Sequence, residues 1–284
     1  MLSMEKTQQA IYTPKSHLGF GWRLWKEMFI ELIHSRSLIW RLFLRDLSAM
    51  YRQSLLGYVW AIMPAILTVI TFTYLNNSGT LPIGKTSMPY PVFVLLGMTV
   101  WLLFSHGLIK TAGSLVNARA IITQINFSRE TLVVAAFGEE IFNFLIRIIL
   151  FVVLFWWYKI LPAGTVFLIP LILLPLALMT VGLGFILALA NGVFRDIANS
   201  LAMIMTFAMF LTPVVYPPPT HGMKVLINYV NPVSPFIIAT RDLTMYGSLS
   251  QPMSLLWASI FGIVIFFCCW RIFHLAMWRI VERV

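Results

Sequence analysis

The chain has 284 residues, of which 60% are hydrophobic and only 11% are charged, and its mean hydropathy is +0.86. This apolar fraction exceeds the roughly 45–50% of soluble domains, which excludes an ordinary soluble protein. The formal net charge of +10 lies at the chain ends and in short clusters, so an anionic membrane leaflet accounts for it and no nucleic-acid partner is required.

Residues 1–21 are predicted to form a polar N-terminal extension, and residues 22–52 an amphipathic region. Leu24, Trp25 and Met28 recur at helical spacing, and charged residues fill the opposite face. Such a helix is too polar to cross a bilayer and suits its surface. A membrane anchor and a platform for a cytoplasmic partner are both open. No removable signal peptide is expected, because no continuous apolar core precedes a cleavage site there.

Six long apolar segments follow within residues 53–284, and they contain a single charged residue, Arg147. Each is close to the roughly 20 residues that a helix needs to cross about 30 Å of hydrocarbon. Only helices satisfy the backbone of such runs. We therefore predict one all-α polytopic membrane domain with six transmembrane helices. The segments are Tyr58–Leu75, Val92–Ile109, Ile141–Trp157, Val166–Ala190, Ile197–Tyr216 and Met253–Trp270.

The basic residues predict the orientation of these spans. With the N-terminus inside, fifteen Lys and Arg fall in cytoplasmic segments and only Lys85, Lys159, Lys224 and Arg241 fall outside. Cytoplasmic loops carry the excess of positive charge. Both termini are therefore predicted to be cytoplasmic.

Two connecting segments are informative. Residues 117–130 form a short, basic, moderately apolar cytoplasmic loop, in which a helix presenting Ile121, Ile122 and Phe127 would fit a partner's groove; an ordinary interfacial loop is the alternative. Residues 217–252 hold two apolar pieces too short to cross, broken by prolines. They predict re-entrant helices on the outer side, with a hydrophobic external loop as the alternative.

The third span carries Arg147, and the longer helical stretch that contains it, residues 131–157, also carries Glu139 and Glu140 just before the apolar segment. Glu140 and Arg147 are two helical turns apart on one face, with Asn143 between them. Charges inside a membrane are costly and are candidates for function. A structural ion pair and a role in gating or proton relay both remain open.

The sequence gives no positive signal for an enzyme or a metal site. Residues 79–86 fit the P-loop pattern by letters, but they follow a span and face outside, where no strand–loop–helix context can hold phosphates. The five histidines are scattered without metal-ligand spacing. The two cysteines, Cys268 and Cys269, are adjacent in the last span and imply no disulfide framework.

A set of short motifs resembles the membrane subunits of ABC exporters for polysaccharides, the O-antigen, capsule and teichoic-acid permeases. The order and spacing of the motifs across residues 38–275 carry the resemblance. They are Arg45-Asp46, Tyr51-Arg52-Gln53, Leu56 to Trp60, Pro64, Tyr90-Pro91, Gly97, Trp101, Ser114 to Asn117, Phe127, Arg129, Phe194 to Ile197, Thr212 to Pro217, Asn231-Pro232 and Arg241. Phe127-Ser128-Arg129 departs from the Phe-Pro-Arg of many relatives.

The resemblance implies a permease in the bacterial cytoplasmic membrane that forms a homodimer with two copies of a separate ATPase. ATP and magnesium would bind that partner, and this chain would hold no cofactor. The substrate would be a polysaccharide on undecaprenyl diphosphate, O-antigen-like, with capsule or teichoic acid as alternatives. It also implies a coupling helix at about 117–129 and re-entrant gate helices at about 217–247. The coupling residues would be Asn117, Arg119, Ile121, Ile122, Phe127 and Arg129.

Further site residues are expected at the two ends of the transport path. Arg45 and Arg52 are candidates for binding the lipid diphosphate at the cytoplasmic opening, since guanidinium groups pair with phosphate, although both also fit a positive-inside role. Candidates for the channel or gate are Trp60, Trp101, Tyr216, Asn231 and Arg241. A proton-coupled secondary transporter using Glu139 and Glu140 is the main alternative, ahead of a membrane transferase or a scaffold subunit.

Overall fold

A computed structural model describes residues 22–51, 57, 59–80, 86–122, 124, 127–194, 196–218 and 230–281. These residues form ten α-helices and no strands, which confirms the all-α class for this part of the chain. The helices are α1 (Trp22–His34), α2 (Arg36–Tyr51), α3 (Val59–Asn77), α4 (Tyr90–Asn117), α5 (Arg119–Ile122), α6 (Glu130–Tyr158), α7 (Ile169–Val193), α8 (Ile197–Leu211), α9 (Ser234–Met245) and α10 (Pro252–Val281). A 3₁₀ turn, Gly164–Leu168, runs directly into α7.

Five helices, α3, α4, α6, α7 with its preceding turn, and α10, are long and apolar enough to cross a membrane. The helix in the fifth predicted span, α8, has only 15 residues and is about 22 Å long. It ends at Leu211 because Pro213 follows and disfavours helical backbone at Thr212. Five spans thus agree with the prediction, and the remaining one stays a prediction.

Helix α4 lies at the centre of the fold. It contacts α3, α6, α7, α8 and α9, and every residue from Val92 to Ser105 is buried. A helix that is apolar on all sides is expected in such a central position. The other spans surround it and expose apolar side chains on their outer faces.

Small residues allow α4, α7 and α10 to pack closely. A Cβ atom at Gly184 would lie within 2.6 Å of Thr111 on α4, and one at Gly182 would lie 2.6 Å from the Cα of Phe266 on α10. Gly262 of α10 faces the Pro175 carbonyl in the same way. Membrane helices approach each other at such small residues, because lipid supplies no hydrophobic drive between them.

The predicted amphipathic region folds as two helices that pack on different spans. On α1, Trp25 and Phe29 make edge contacts with Phe267 and Trp270 of α10. On α2, Phe43 packs against α6 near Gly138. The position of these helices at the membrane surface remains a prediction, and residues 1–21 lie outside the described part.

The predicted re-entrant region is described only in part. Residues 219–229, which hold most of the first predicted half-helix, lie outside the described residues. The second half-helix corresponds to α9, whose residues from Ser234 to Thr244 are all buried. Its C-terminal end is tied to the start of the 3₁₀ turn, since the Thr165 hydroxyl donates to the Leu243 carbonyl at 2.8 Å. Re-entry into the membrane stays a prediction.

The close contact between α7 and α10 predicts a strong effect of Gly182→Leu. The new side chain would meet backbone atoms of Phe266, so we expect a loss of about 1–3 kcal/mol in the free energy of unfolding, since overpacking forces the backbone to move. Thermal unfolding of the purified protein in detergent measures it.

Gly192→Leu is the matched control, because no atom lies within 4 Å of a Cβ at Gly192 on the same helix. This variant should melt at or above the temperature of the unmodified protein, since leucine favours a helix more than glycine does. Equal destabilisation by both variants would contradict the packing described here.

Candidate transport site

The polar core at one end of the fold is organised by Arg241 of α9, which is 5% exposed. Its Nη1 donates to the Pro213 carbonyl at 2.7 Å and its Nη2 to the Val214 carbonyl at 2.5 Å. Nε and Nη2 also donate to the Phe93 carbonyl at 3.3 and 3.2 Å. The guanidinium carbon lies 3.5 Å above the Phe93 ring centroid. The planar fork of arginine suits several acceptors at once.

Tyr216 and Asn231 belong to the same end of the fold. The Asn231 amide donates to the Thr212 hydroxyl at 2.7 Å and accepts from the Val233 N–H at 3.0 Å. The Tyr216 hydroxyl donates to the Phe210 carbonyl at 3.1 Å. Three predicted gate residues, Tyr216, Asn231 and Arg241, therefore make hydrogen bonds to the end of α8 or to the turn after it.

The other two predicted channel residues lie elsewhere. Trp101 is in the middle of α4, is 4% exposed and packs with its ring centroid 5.9 Å from that of Phe104. Trp60 is 58% exposed at the start of α3. Trp101 is thus enclosed by this chain, whereas Trp60 is available to lipid, substrate or another subunit.

Glu140 and Arg147 form an ion pair that is buried in the span α6. Arg147 Nη2 lies 2.5 Å from Glu140 Oε1, and the side chains are 1% and 0% exposed. Asn143 donates to the other Glu140 oxygen at 3.2 Å. Arg147 Nε also donates to the Ala61 carbonyl of α3 at 3.2 Å, near Pro64, which supplies no N–H to this helix. The pair therefore ties α6 to α3.

The adjacent carboxylate, Glu139, faces a different helix. Its Oε2 lies 2.5 Å from Nζ of Lys110 on α4, and the two side chains are 14% and 24% exposed. Glu139 thus connects α6 to α4, whereas Glu140 holds Arg147, which connects α6 to α3. The sequence pattern did not indicate Lys110, because a lysine near the end of a span already fits the positive-inside rule.

Among its described residues, the predicted coupling segment, 117–129, contains the last residue of α4 and one helical turn, α5. The apolar side chains predicted to contact a partner, Ile121, Ile122 and Phe127, are half-buried and pack against the core. Asn117, Arg119, Ala120 and Gln124 are the exposed residues. Among the described residues of this segment, the exposed side chains are therefore polar or small.

The end of the coupling segment is attached to α10. Arg129 Nη1 lies 3.9 Å from the Met277 sulfur. The next residue, Glu130, lies 2.7 Å from His274 Nδ1, and both side chains are buried. No local pattern could reveal this pair, because its members are 144 residues apart.

The candidate diphosphate-binding residues are only partly described. Arg45 is on α2, where it pairs with its neighbour Asp46 at 2.6 Å while the two side chains remain 44% and 32% exposed. Arg52 lies outside the described residues. Among the residues that the structure describes, no group of three or more potential metal ligands occurs.

Comparisons of the sequence with known proteins identify one family. Residues 37–245 match the membrane family described as ABC-2 type transporter. The chain is 29% identical over 206 residues to the O-antigen export system permease protein RfbA of Myxococcus xanthus, covering 72% of this chain and 78% of the relative. It is 26% identical over 243 residues to the protein of the same name from Klebsiella pneumoniae, covering 84% and 91%.

The buried ion pair predicts that removal of one partner is more harmful than removal of both. Arg147→Met leaves the Glu140 carboxylate without its cation, and we expect a loss of about 3–5 kcal/mol in the free energy of unfolding. The double variant Glu140→Leu with Arg147→Met should recover most of that loss, because no charge then remains buried. Thermal unfolding in detergent compares the three proteins.

Lys110→Met provides a control at the neighbouring pair. Because Lys110 and Glu139 are more exposed, the loss should be smaller than that of Arg147→Met. A double variant at Glu140 and Arg147 that is no more stable than Arg147→Met would contradict the assignment of the cost to an unpaired buried charge.

Proposed function

The chain belongs to the ABC-2 type transporter family, and from this membership we propose that it is the membrane subunit of an ATP-driven exporter of a lipid-linked polysaccharide. The proposed cargo is O-antigen-like and is carried on undecaprenyl diphosphate. The observation that carries the proposal is the similarity to O-antigen export permeases over 84% of this chain and 91% of the relative. The family match over residues 37–245 includes helices α3 to α9, the coupling segment and Arg241.

The proposed assembly contains two copies of this chain and two copies of a separate ATPase. The structure supports a second copy at α3 and α8, which contact the rest of the fold on narrow faces. Only Ala61 and Ala65 are buried on α3, and only Leu201 on α8. A substrate path between two copies would then be formed by surfaces that this chain leaves uncovered.

The proposed location is the bacterial cytoplasmic membrane, with both termini inside. The contacts between helix ends support alternate crossing of the spans. Glu130 and His274 bring the start of α6 to the last part of α10. At the opposite ends, the 3₁₀ turn contacts α9, and the turn after α8 contacts the start of α4 through Arg241.

Transport is proposed to be driven mechanically. Closure of the ATPase dimer on ATP and magnesium would displace residues 117–129 and the helices α1 and α2. Packed helices move as bodies in such transitions, since their interfaces are not continuously deformable. The residues of this chain would transmit force and guide the glycan, while the chemistry takes place on the partner.

A direct test of the coupling segment is Arg119→Glu. Arg119 is one of its exposed residues, and reversal of its charge should weaken a polar contact to the ATPase by several-fold or more, because unlike charges become like charges. The amount of soluble P-loop ATPase that co-purifies with the chain from its own host in mild detergent measures the contact.

Lys159→Glu is the control, because it makes the same charge change at the far end of α6. Alanine at Ile121, Ile122 and Phe127 tests the apolar part of the contact. If no ATPase accompanies the intact, folded chain, and transport follows the proton gradient and not ATP, the proton-coupled alternative replaces the exporter.

The proposed lipid-diphosphate contact predicts that the double variant Arg45→Gln with Arg52→Gln exports poorly. Loss of two charge-assisted hydrogen bonds, each worth about 1.5–3 kcal/mol, should reduce export by tenfold or more at limiting substrate. The lysine pair, Arg45→Lys with Arg52→Lys, keeps the charge and should retain more export. Surface polysaccharide of the host measures the effect, and full export by the glutamine pair would remove these residues from the site.

A further inference from the structure

We propose that Arg241 is a positioning residue that joins α9, the turn after α8 and the outer end of α4 into one rigid unit, and that this unit moves with α4 during transport. The part of the inference that concerns movement during transport rests on the proposed function. Its structural part rests on contacts among the described residues 90–97, 212–216 and 230–250. We call these contacts the carbonyl clamp.

The clamp holds three successive backbone carbonyls of the turn after α8. Arg241 donates to the carbonyls of Pro213 and Val214. The Tyr90 hydroxyl, at the start of α4, donates to the carbonyl of Val215 at 2.8 Å. These carbonyls are outside any helix, so without side-chain donors they would be buried and unsatisfied at a cost.

The space for the clamp depends on a glycine of α4. A Cβ atom at Gly97 would lie 2.4 Å from the Val214 oxygen and 2.5 Å from Arg241 Nη2. Real Cβ atoms essentially never approach other atoms so closely, and the carbonyl in this contact is backbone. The absence of a side chain at Gly97 therefore lets α4 lie close to the Arg241 guanidinium and to the turn after α8.

The C-terminal part of α9, which carries Arg241, is also held by other hydrogen bonds. The Ala163 N–H donates to the Thr244 carbonyl at 2.9 Å, next to the bond from Thr165 to Leu243. Asp242 accepts the Ser250 N–H at 2.8 Å, just before α10 begins. Swinging α9 as a separate gate would break all of these bonds together with the clamp.

Helix α4 runs from this unit to the coupling segment as one continuous helix. It has 28 residues and is about 42 Å long. Its single proline, Pro91, is in the first turn, whereas α3 and α7 contain the interior prolines Pro64 and Pro175. Since an interior proline is a frequent cause of a sharp kink, α4, which has none, is suited to pass a displacement at Asn117 to the clamp.

The test measures a distance across the unit and export in the same protein. Spin labels at Ser87, before α4, and Ser248, after α9, are placed on exposed positions in a Cys268→Ser, Cys269→Ala background. The complex with its ATPase is measured without nucleotide and after trapping with ADP and vanadate. We expect one narrow distance distribution that does not shift between the two states.

Two variants should open the clamp while leaving the cytoplasmic contact intact. Arg241→Lys cannot serve three carbonyls with a fork, and Gly97→Ala removes the space. Each should broaden the distance distribution and lose most of the export of surface polysaccharide, while nucleotide hydrolysis by the associated ATPase is retained. This separation of hydrolysis from export would not follow from a general loss of folded protein.

Matched controls are Gly192→Ala on α7 and Arg36→Lys on α2, which make the same changes at exposed positions and should alter neither readout. If the two clamp variants do not fold, Tyr90→Phe replaces them, because it removes only the hydroxyl that binds the Val215 carbonyl. The distance in the unmodified chain tests the inference in either case. A nucleotide-dependent shift in the unmodified distance, or full export with an unchanged distance in Arg241→Lys, overturns the inference. Absence of ATP-dependent export in the unmodified chain would instead refute the proposed function.

Discussion

Charged and amide side chains that enter an apolar interior must find their partners inside the protein, because hydrocarbon offers no water. In this chain many of these partners are on α4. Arg241 reaches the Phe93 carbonyl, Lys110 pairs with Glu139, and Asn191 of α7 donates to the Ala112 carbonyl at 3.2 Å. One central helix therefore receives polar ties from α9, α6 and α7 along its whole length. The arrangement of the other helices depends on it.

The sequence predicts those features that depend on local composition or spacing. Five spans follow from apolar length alone, and the heptad spacing of Glu140 and Arg147 indicates that they share a helix face. The limits appear where the partner is distant. Asn191 accepts the Ala198 N–H at 3.1 Å and so fixes the break between α7 and α8, yet nothing near Asn191 in the sequence identifies Ala112.

Helix ends and exposed surfaces are harder to predict for a related reason. Residues 197–216 are mostly apolar, but α8 ends five residues before residue 216. It ends there because Thr212-Pro213 leaves the helix, and Arg241 stabilises carbonyls of the turn that follows. The apolar residues Ile121 and Ile122 suggested a surface for a partner. They are half-buried and pack against the core, and their contact with a partner stays a prediction, since hydrophobicity alone does not distinguish a contact within the chain from a contact with another protein.

Buried polar contacts are distributed unevenly among the helices, and α8 has fewer of them than α4, α6, α7 and α9. Helices α4, α6, α7 and α9 are joined by buried hydrogen bonds or ion pairs at several levels. Helix α8 has a single buried residue, Leu201, and among the described residues its hydrogen bonds to other helices and turns lie near its two ends, at Asn191 and at the turn that Arg241 binds. A mechanism that must open a wide path is better served by moving weakly packed surfaces than by breaking buried polar bonds.

The ion pair of Glu140 and Arg147 lies at the contact between α6 and α3. A buried ion pair adds little net stability, because desolvation offsets its attraction, whereas its hydrogen bonds constrain how α3 packs on α6. Arg147 reaches the backbone carbonyl of Ala61 and not a side chain. The contact therefore sets the rotation and height of α3 against α6 without constraining the side chains on the outer face of α3, including the exposed Trp60. A helix held in this way can present whatever surface a second subunit or a passing glycan requires, while its position in the membrane stays fixed.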